Sequence, residues 1–516
     1  MKIVITAAGH SRRFTEVGYE VPKFMLPVLN QSMLEQVLLM FSPSDSFLVV
    51  TTKTFETKHR SFFDSVKIRY RDFRVLAIQE HECGPVQTLD NDEVANWVED
   101  EQFIVSYCDF FVNWDYKAFL DAIESNESDG CVVSFKGVQP ASRGSTLFAY
   151  LRTEDDKVLE VKEKSSFTDN RIEEFASVGL YYFKSFLVFC QGLAASTESF
   201  IGFKERYVSL VYNGLIKLGM RINHFQAEQF VCLGTPVDYE EFLYWNGYFK
   251  SLDWQKNATP IISQKMLPMA GLGDRFRKAG IAVAKPMIPI RNRPMFLHSV
   301  NSFPIAARSI VVVLKDQAER VERAIASETF PIDVLALQNL TSGPGETILK
   351  CIDQTNLDED LLIASCDYEQ MCDENLFYEA KNDEKTRVIV FYTHFNSFRM
   401  KNPHAFAYCR TNSEGIVTSI VEKELLSQNP ELDKLLVGSF WFRKGRDLKL
   451  ALNMAEANGR RVNGEIFVAN SLNELIDLGI RIRAIPVTHW ISFGDPDELE
   501  IYQWWEQLFN YVKSRD

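Results

Sequence analysis

The sequence has no run of about 18 apolar residues free of charge, the length a membrane-crossing helix needs, so no membrane span is expected. Its 9 cysteines are scattered, odd in number and never spaced as CxxC. That argues against a disulfide framework and against a thiolate zinc site, and for reduced thiols in a cytoplasmic protein. The 8 histidines include no HExxH and no paired metal spacing. With 25 glycines and 18 prolines in 516 residues, collagen-like and low-complexity classes are excluded. Cations are the minority charge, 56 Lys and Arg against 70 Asp and Glu, for a formal net charge of −14. The usual electrostatic footprint of a nucleic-acid binder is missing, and no nucleic-acid partner is expected. A site for an anion must therefore be a local cluster of cations and backbone donors. The opening MKIVITAAGHSRRF reads as a strand and a glycine loop, without the longer apolar run and small-residue cleavage site of a secretory signal.

What is present is a long internal repeat. Residues 5–28 (ITAAGHSRRFTEVGYEVPKFMLPV) align with 267–290 (LPMAGLGDRFRKAGIAVAKPMIPI). Gly9 meets Gly271, Arg13 meets Arg275 and Lys23 meets Lys285, at an offset of 285 − 23 = 262. The register holds along the chain with small drifts. Gln79 to Gly84 matches Gln338 to Gly343, Asp109 falls on Asp367, and FAYLRT at 148–153 falls on FAYCRT at 406–411. Glu163-Lys164 matches Glu422-Lys423, Gly179 matches Gly438, and the turn at Gly234 matches that at Gly494. A period this long means duplicated domains rather than a solenoid. We read copy one as 1–254 and copy two as 263–516, with the seam near 251–264.

In each copy short β-branched runs alternate with helical spacing. KIVIT, FLVVTT, VLAIQ, FIVSYCD and CVVSF recur in kind as RSIVVVL, DVLALQ, DLLIASCD and RVIVFYT. Continuous apolar runs of this kind suit strands buried on both faces. The expectation is α/β, with two tandem doubly wound, mostly parallel sheets. Ligands in such sheets bind beyond the carboxyl ends of the strands. That places Gly9 and Asp109 near one crevice, and Gly271 and Asp367 near another.

Several residues suit phosphate chemistry. The glycine loops Ala8-Gly9 and Ala270-Gly271 let backbone donors approach a phosphate, Arg13 and Arg275 add a forked cation, and Lys23 and Lys285 add a point charge. Asp109 and Asp367 end apolar strands, where a carboxylate can hold Mg²⁺ bridging substrate phosphates; a turn or capping Asp is the alternative. Neither shows the DxD spacing of many glycosyltransferases. Gln79 and Gln338 carry amides that suit a nucleobase edge, with Gly84 and Gly343 five residues on to let the base lie against the backbone. Glu163-Lys164 and Glu422-Lys423 follow strands; the two side chains serve one ligand only if the strand ends or bulges there.

This ordered set, AGxxxRF, Lys, Pro, Q-x4-G, a strand-end Asp, EK and a late glycine turn, resembles the sugar-phosphate nucleotidyltransferases, or nucleoside-diphosphate-sugar pyrophosphorylases. The resemblance covers each half almost end to end and implies a GT-A-like α/β domain. It implies a Mg²⁺-dependent reaction in which a phosphorylated sugar or polyol attacks the α-phosphorus of a nucleoside triphosphate, pyrimidine favoured, and pyrophosphate leaves. It implies nucleotide contacts from Ala8, Gly9, Gln79 and Gly84, and from Ala270, Gly271, Gln338 and Gly343. Arg13, Lys23, Arg275 and Lys285 would be catalytic, and Asp109 and Asp367 would bind the metal. Glu163, Lys164, Gly179, Glu422, Lys423 and Gly438 would face the acceptor. A supply of surface-polysaccharide precursors is the role implied.

Two departures stand out. Where the family often has a second metal-binding Asp, two residues before the late glycine, this chain has Cys232 and Ser492. The loop of copy two, MAGLGDRF, is closer to the family pattern than AAGHSRRF of copy one. A GT-A glycosyltransferase, or a nucleotide-binding scaffold with one or both domains inactive, are the alternatives. The C-terminal IYQWWEQLFNYV reads as an amphipathic helix packing on its own domain, or as a surface for a homo-oligomer.

Overall fold

The computed structural model describes residues 1–144, 147–252 and 259–515. Part of the expected seam between the copies, 253–258, lies outside the described residues. The chain divides into two compact units: Met1–Gly247 with Gln507–Asp516, and Tyr248–Glu506.

In the first unit a nine-stranded sheet runs in the order Phe73–Ile78, Ser46–Thr52, Lys2–Thr6, Phe103–Tyr107, Phe175–Phe183, Gly130–Phe135, Ile222–Gln226, Lys157–Glu163, Ala149–Glu154. The first four strands are mutually parallel, as their near-continuous apolar content requires of strands covered on both faces. Gly130–Phe135 and Ile222–Gln226 are also parallel to each other. Between these two sets runs Phe175–Phe183, antiparallel to both Phe103–Tyr107 and Gly130–Phe135. This is the expected α/β domain with a mostly parallel sheet, in which Phe175–Phe183 and Lys157–Glu163 run against the common direction.

The second unit repeats the plan. Its order is Ile332–Leu337, Ala306–Leu314, Ile262–Pro268, Leu361–Ile363, Lys434–Phe442, Val388–Thr393, Ile482–Ser492, Tyr368–Cys372. The antiparallel strand recurs as Lys434–Phe442. A hairpin of Ala407–Thr411 and Val417–Glu422 repeats that of Ala149–Glu154 and Lys157–Glu163. Local capping agrees with the design: Ser32 and Glu35 form a reciprocal capping box at the start of the helix Met33–Leu38.

The sheet cores are buried aliphatic and aromatic residues, Val4, Val105, Val132 and Leu215 among them in the first unit and Met266, Ile363, Val390 and Leu472 in the second. In the C-terminal helix Pro496–Arg515, Tyr502, Trp505, Leu508 and Phe509 are buried. Among the described residues no helix is long and apolar enough to cross a membrane.

Candidate active site

In the first unit the strand Lys2–Thr6 delivers the loop that carries Ala8 and Gly9 into a cavity of about 560 Å³. The same cavity is lined by Arg13, Lys23, Gly84, Asp109, Glu163, Lys164 and Gly179. Residues spread over 170 positions thus share one space, which the repeat and the strand-end rule predict. Gln79 is exposed and is not among the lining residues; Gln338 is exposed as well.

At the centre Lys23 Nζ donates to Asp109 Oδ2 over 2.6 Å. Burial alone would lower the Lys23 ammonium; the Asp109 carboxylate reverses this and holds its pKa above the ordinary lysine value. The second unit repeats the pair, Lys285 Nζ to Asp367 Oδ2 at 2.5 Å, with the same opposition of burial and carboxylate and the same upward result. The Lys23 amide also donates to Ser11 Oγ over 3.2 Å. Ser11 and its counterpart Gly273 both have left-handed backbone, with φ of 53° and 65°. A side chain at Gly9 or Gly271 would meet nothing within 4 Å, so the open face of each loop is available to a ligand.

Gly84 and Gly343 are also closely packed against their own chain. A Cβ on Gly84 would lie 2.8 Å from the Arg206 backbone, and one on Gly343 would lie 2.9 Å from Glu465 Cβ. The close approach is made by the chain itself: Arg206 N donates to Cys83 O, and Val86 N to Arg206 O. Gly179 and Gly438 have φ of 99° and 84° and sit at bulges in the antiparallel strands.

The EK pairs satisfy the condition set by the sequence. The strands end at Glu163 and Glu422, and Lys164 and Lys423 turn into left-handed backbone at φ 55° and 57°. Each lysine lies over an aromatic ring, Lys164 4.4 Å from the centre of Tyr207 and Lys423 4.2 Å from that of Phe467. Burial raises the Glu163 carboxyl above the ordinary range, and raises that of Glu422 to about 7.

The two units differ around the late glycine turn. Arg275 Nη1 donates to Asp495 Oδ2 over 3.1 Å, whereas Thr235 occupies that position in the first unit and instead donates to Asp238. Cys232 Sγ approaches Asp238 Oδ2 at 3.6 Å, and Ser492 Oγ donates to Glu498 Oε2 over 2.5 Å. So where the expected second carboxylate is missing, a carboxylate six residues on backs the residue that replaces it. The matched spacing of Asp238 and Glu498, and of Tyr207 and Phe467, was a usable sequence signal for these supporting residues.

Mg²⁺ fits the donor chemistry as a partly substrate-held ion. Among the described residues no group of three His, Cys, Asp or Glu is arranged to hold a metal unaided. Cys232 offers a soft sulfur and Ser492 a neutral hydroxyl, both poor matches for a hard Mg²⁺ ion. Asp109 and Asp367 are hard oxygen donors, and Mg²⁺ commonly takes one or two carboxylates with phosphates and water. Glycine beside each keeps that space clear: a Cβ on Gly234 would lie 3.3 Å from Asp109 Oδ2, and one on Gly494 would lie 2.8 Å from Asp367 Oδ2.

Residues 3–170 match the model of the MobA-like NTP transferase domain, and 266–471 match that of the nucleotidyl transferase family. No curated protein matches the chain. Among solved structures, a nucleoside-diphosphate-sugar pyrophosphorylase from Vibrio cholerae is 24% identical with a TM-score of 0.39, over 47% of this chain and 99% of its own. The inositol-1-phosphate CTP transferase from T. maritima is 12% identical with a TM-score of 0.39, over 48% of this chain and 97% of its own. By its two family matches, in order along the sequence, the chain is a nucleotidyltransferase with two tandem nucleotidyltransferase domains.

Proposed function

We propose that each domain joins a nucleoside triphosphate to a phosphorylated sugar or polyol and releases pyrophosphate. The observation that carries this is the recurrence of one lysine–aspartate pair beside an open glycine loop in both domains. An oxygen of the acceptor phosphate attacks the α-phosphorus, the bond to the β-phosphate oxygen breaks, and pyrophosphate departs. Such a transfer needs positioning and charge neutralisation more than covalent help from the protein.

The loops at Ala8-Gly9 and Ala270-Gly271 seat the nucleotide, and Arg13 and Arg275 neutralise its outer phosphates. Lys23 and Lys285 meet the charge that develops on the transferring phosphoryl group. Glu163 and Glu422 accept from the acceptor, while Lys164 and Lys423 hold its phosphate. Asp109 and Asp367 would hold Mg²⁺, which would supply neutralisation of the substrate's phosphate charge. A cytoplasmic location, with all nine cysteines free, and a role in supplying surface-polysaccharide precursors complete the reading.

Pyrophosphate release by the full chain, from each of four nucleoside triphosphates with glucose 1-phosphate, inositol 1-phosphate and glycerol 3-phosphate, tests it. Lys23→Ala and Lys285→Ala should each slow one domain's turnover by about 10²–10³-fold and spare the other's. Absence of turnover on every pair, or activity indifferent to both substitutions, would sink the reading.

A further inference from the structure

The acceptor ends of the two domains are built on one frame. In the first, Asn213 accepts from Val161 N and donates to Val161 O, both at 2.9 Å. In the second, Asn473 makes the same two bonds to Ile420, at 3.0 and 2.9 Å. These bonds lock the helices Val208–Lys217 and Val468–Asp477 onto the strands that end in Glu163 and Glu422. Positions can therefore be compared one for one.

On that frame the hydroxyls differ. The second helical residue is Ser209 in the first domain, and its Oγ donates to Glu163 Oε2 over 2.6 Å. In the second domain it is Ala469, buried, with no hydroxyl to give. The residue just before the helix is Tyr207 in one and Phe467 in the other. On the antiparallel strands, Tyr181 is paired with Val105 and Val132, and Phe440 with Ile363 and Val390, which fixes them as counterparts. By the same register Ser177, opposite Ser134, corresponds to Leu436, opposite Tyr392. Ser177, Tyr181 and Tyr207 line the first domain's cavity together with Glu163. Four hydroxyl-bearing side chains thus become four without one.

We propose that Ser209 is a positioning residue that fixes Glu163 with one oxygen engaged and one left for the acceptor, and that the two domains consequently select different acceptors. The first takes a polyhydroxylated phosphate, whose alternating donors and acceptors match Glu163 and the hydroxyls of Ser177, Tyr181 and Tyr207. The second, with no hydroxyl bonded to Glu422 and with Ala469, Phe467, Phe440 and Leu436 at the four positions, takes a phosphorylated acceptor with fewer hydroxyls, because each sugar hydroxyl buried against those four side chains without a partner would cost affinity. This rests on the function proposed above and deepens it.

The charges around the two carboxyls support the assignment. Glu163 is faced by Lys164 and Glu205, and by the phenols of Tyr107, Tyr181 and Tyr207. Burial raises its carboxyl, and the Ser209 bond pulls it back. Glu422 is faced by Lys423 and Glu465 and has no such bond to offset its burial.

The test uses the full chain with one domain silenced. In Lys285→Ala, leaving the first domain, glucose 1-phosphate and inositol 1-phosphate should be preferred over phosphoethanolamine; in Lys23→Ala the order should reverse. Adding Ser209→Ala to the first should raise the KM for the polyhydroxylated acceptor about tenfold, as for loss of one hydrogen bond to a charged group, with little change in kcat. Adding Ala469→Ser to the second should narrow its preference. One acceptor order in both backgrounds, or a Ser209→Ala KM equal to that of its parent, would overturn the proposal while leaving the nucleotidyl transfer standing. Should neither domain turn over any pair, the positioning claim is still read by difference infrared titration of the carboxyls, assigned with Glu163→Gln and Glu422→Gln. Ser209→Ala should move the Glu163 midpoint up and Ala469→Ser the Glu422 midpoint down; unmoved midpoints overturn it.

Discussion

Lys23 and Asp109 lie 86 residues apart and meet at 2.6 Å, each with only about a fifth of its side chain exposed. Removing one partner leaves the other largely buried and uncompensated, whereas removing both does not. We therefore expect Lys23→Met and Asp109→Asn each to destabilise the first domain, and the double variant to lose less than their sum. The coupling from a double-mutant cycle in urea should be about 1–3 kcal/mol. A coupling near zero would show that the pair exists for ligand binding alone.

Two glycines should answer alanine in opposite ways. At Gly271 the added methyl meets nothing within 4 Å, so Gly271→Ala should leave the melting temperature unchanged and raise the second domain's KM for nucleoside triphosphate. At Gly84 the methyl would fall 2.8 Å from the Arg206 backbone, at a φ of +88° that L-residues rarely adopt. Gly84→Ala should therefore destabilise the first domain by about 1–3 kcal/mol. Paired thermal denaturation and nucleotide titration separate the two effects; a destabilised Gly271→Ala would contradict the first.

Arg275 is held by Asp495 in the second domain, while in the first domain the position of Asp495 is taken by Thr235, which carries no charge. A triphosphate that takes the guanidinium must first part it from Asp495. Exposed pairs of this kind are worth about 0–1 kcal/mol. Asp495→Asn should accordingly lower the second domain's KM for triphosphate by up to about fivefold at low salt and leave the first domain's unchanged. An increased KM would mean that Asp495 instead steers the arginine toward the phosphates.

The duplication made the centre of each site legible. One copy of Gly9, Arg13, Lys23 and Asp109 is only a turn and some charges; a second copy at matched spacing ties them together, and the coordinates bring them into one cavity. Gln79 was less legible because a Gln before a glycine looks the same whether the amide faces a base or the solvent, and it is exposed. Gly84 lines the cavity, and its other close neighbour is Arg206, more than a hundred residues on, which no local pattern announces. The antiparallel strand Phe175–Phe183 hid for a similar reason. Its apolar run looks like its parallel neighbours, and direction is set by where the chain returns from. Ser209 lay unseen because a serine two residues into a helix reads as a surface residue until the carboxylate it serves is known.

Lys265 is fully buried in the strand Ile262–Pro268 and donates to the carbonyls of Ser299, Val300 and Ser302 at 3.2, 2.9 and 2.7 Å. Burial lowers its ammonium to about 7, from the ordinary lysine value of 10.5. The unfolded chain then holds a proton that the folded chain releases between pH 7 and 10.5, so unfolding takes up a proton there and stability rises with pH. The contribution is at most about 1.4 kcal/mol per pH unit in that window. Below pH 7 both states are protonated, and the cost of the buried charge is constant and fully present. Lys265→Met removes the titrating group. It should flatten the rise in the second domain's urea midpoint between pH 7 and 10 relative to the parent, whatever it does to stability at a single pH. An unaltered slope would mean that the three carbonyls hold the ammonium charged throughout, and that hydrogen bonding outweighs burial at this site.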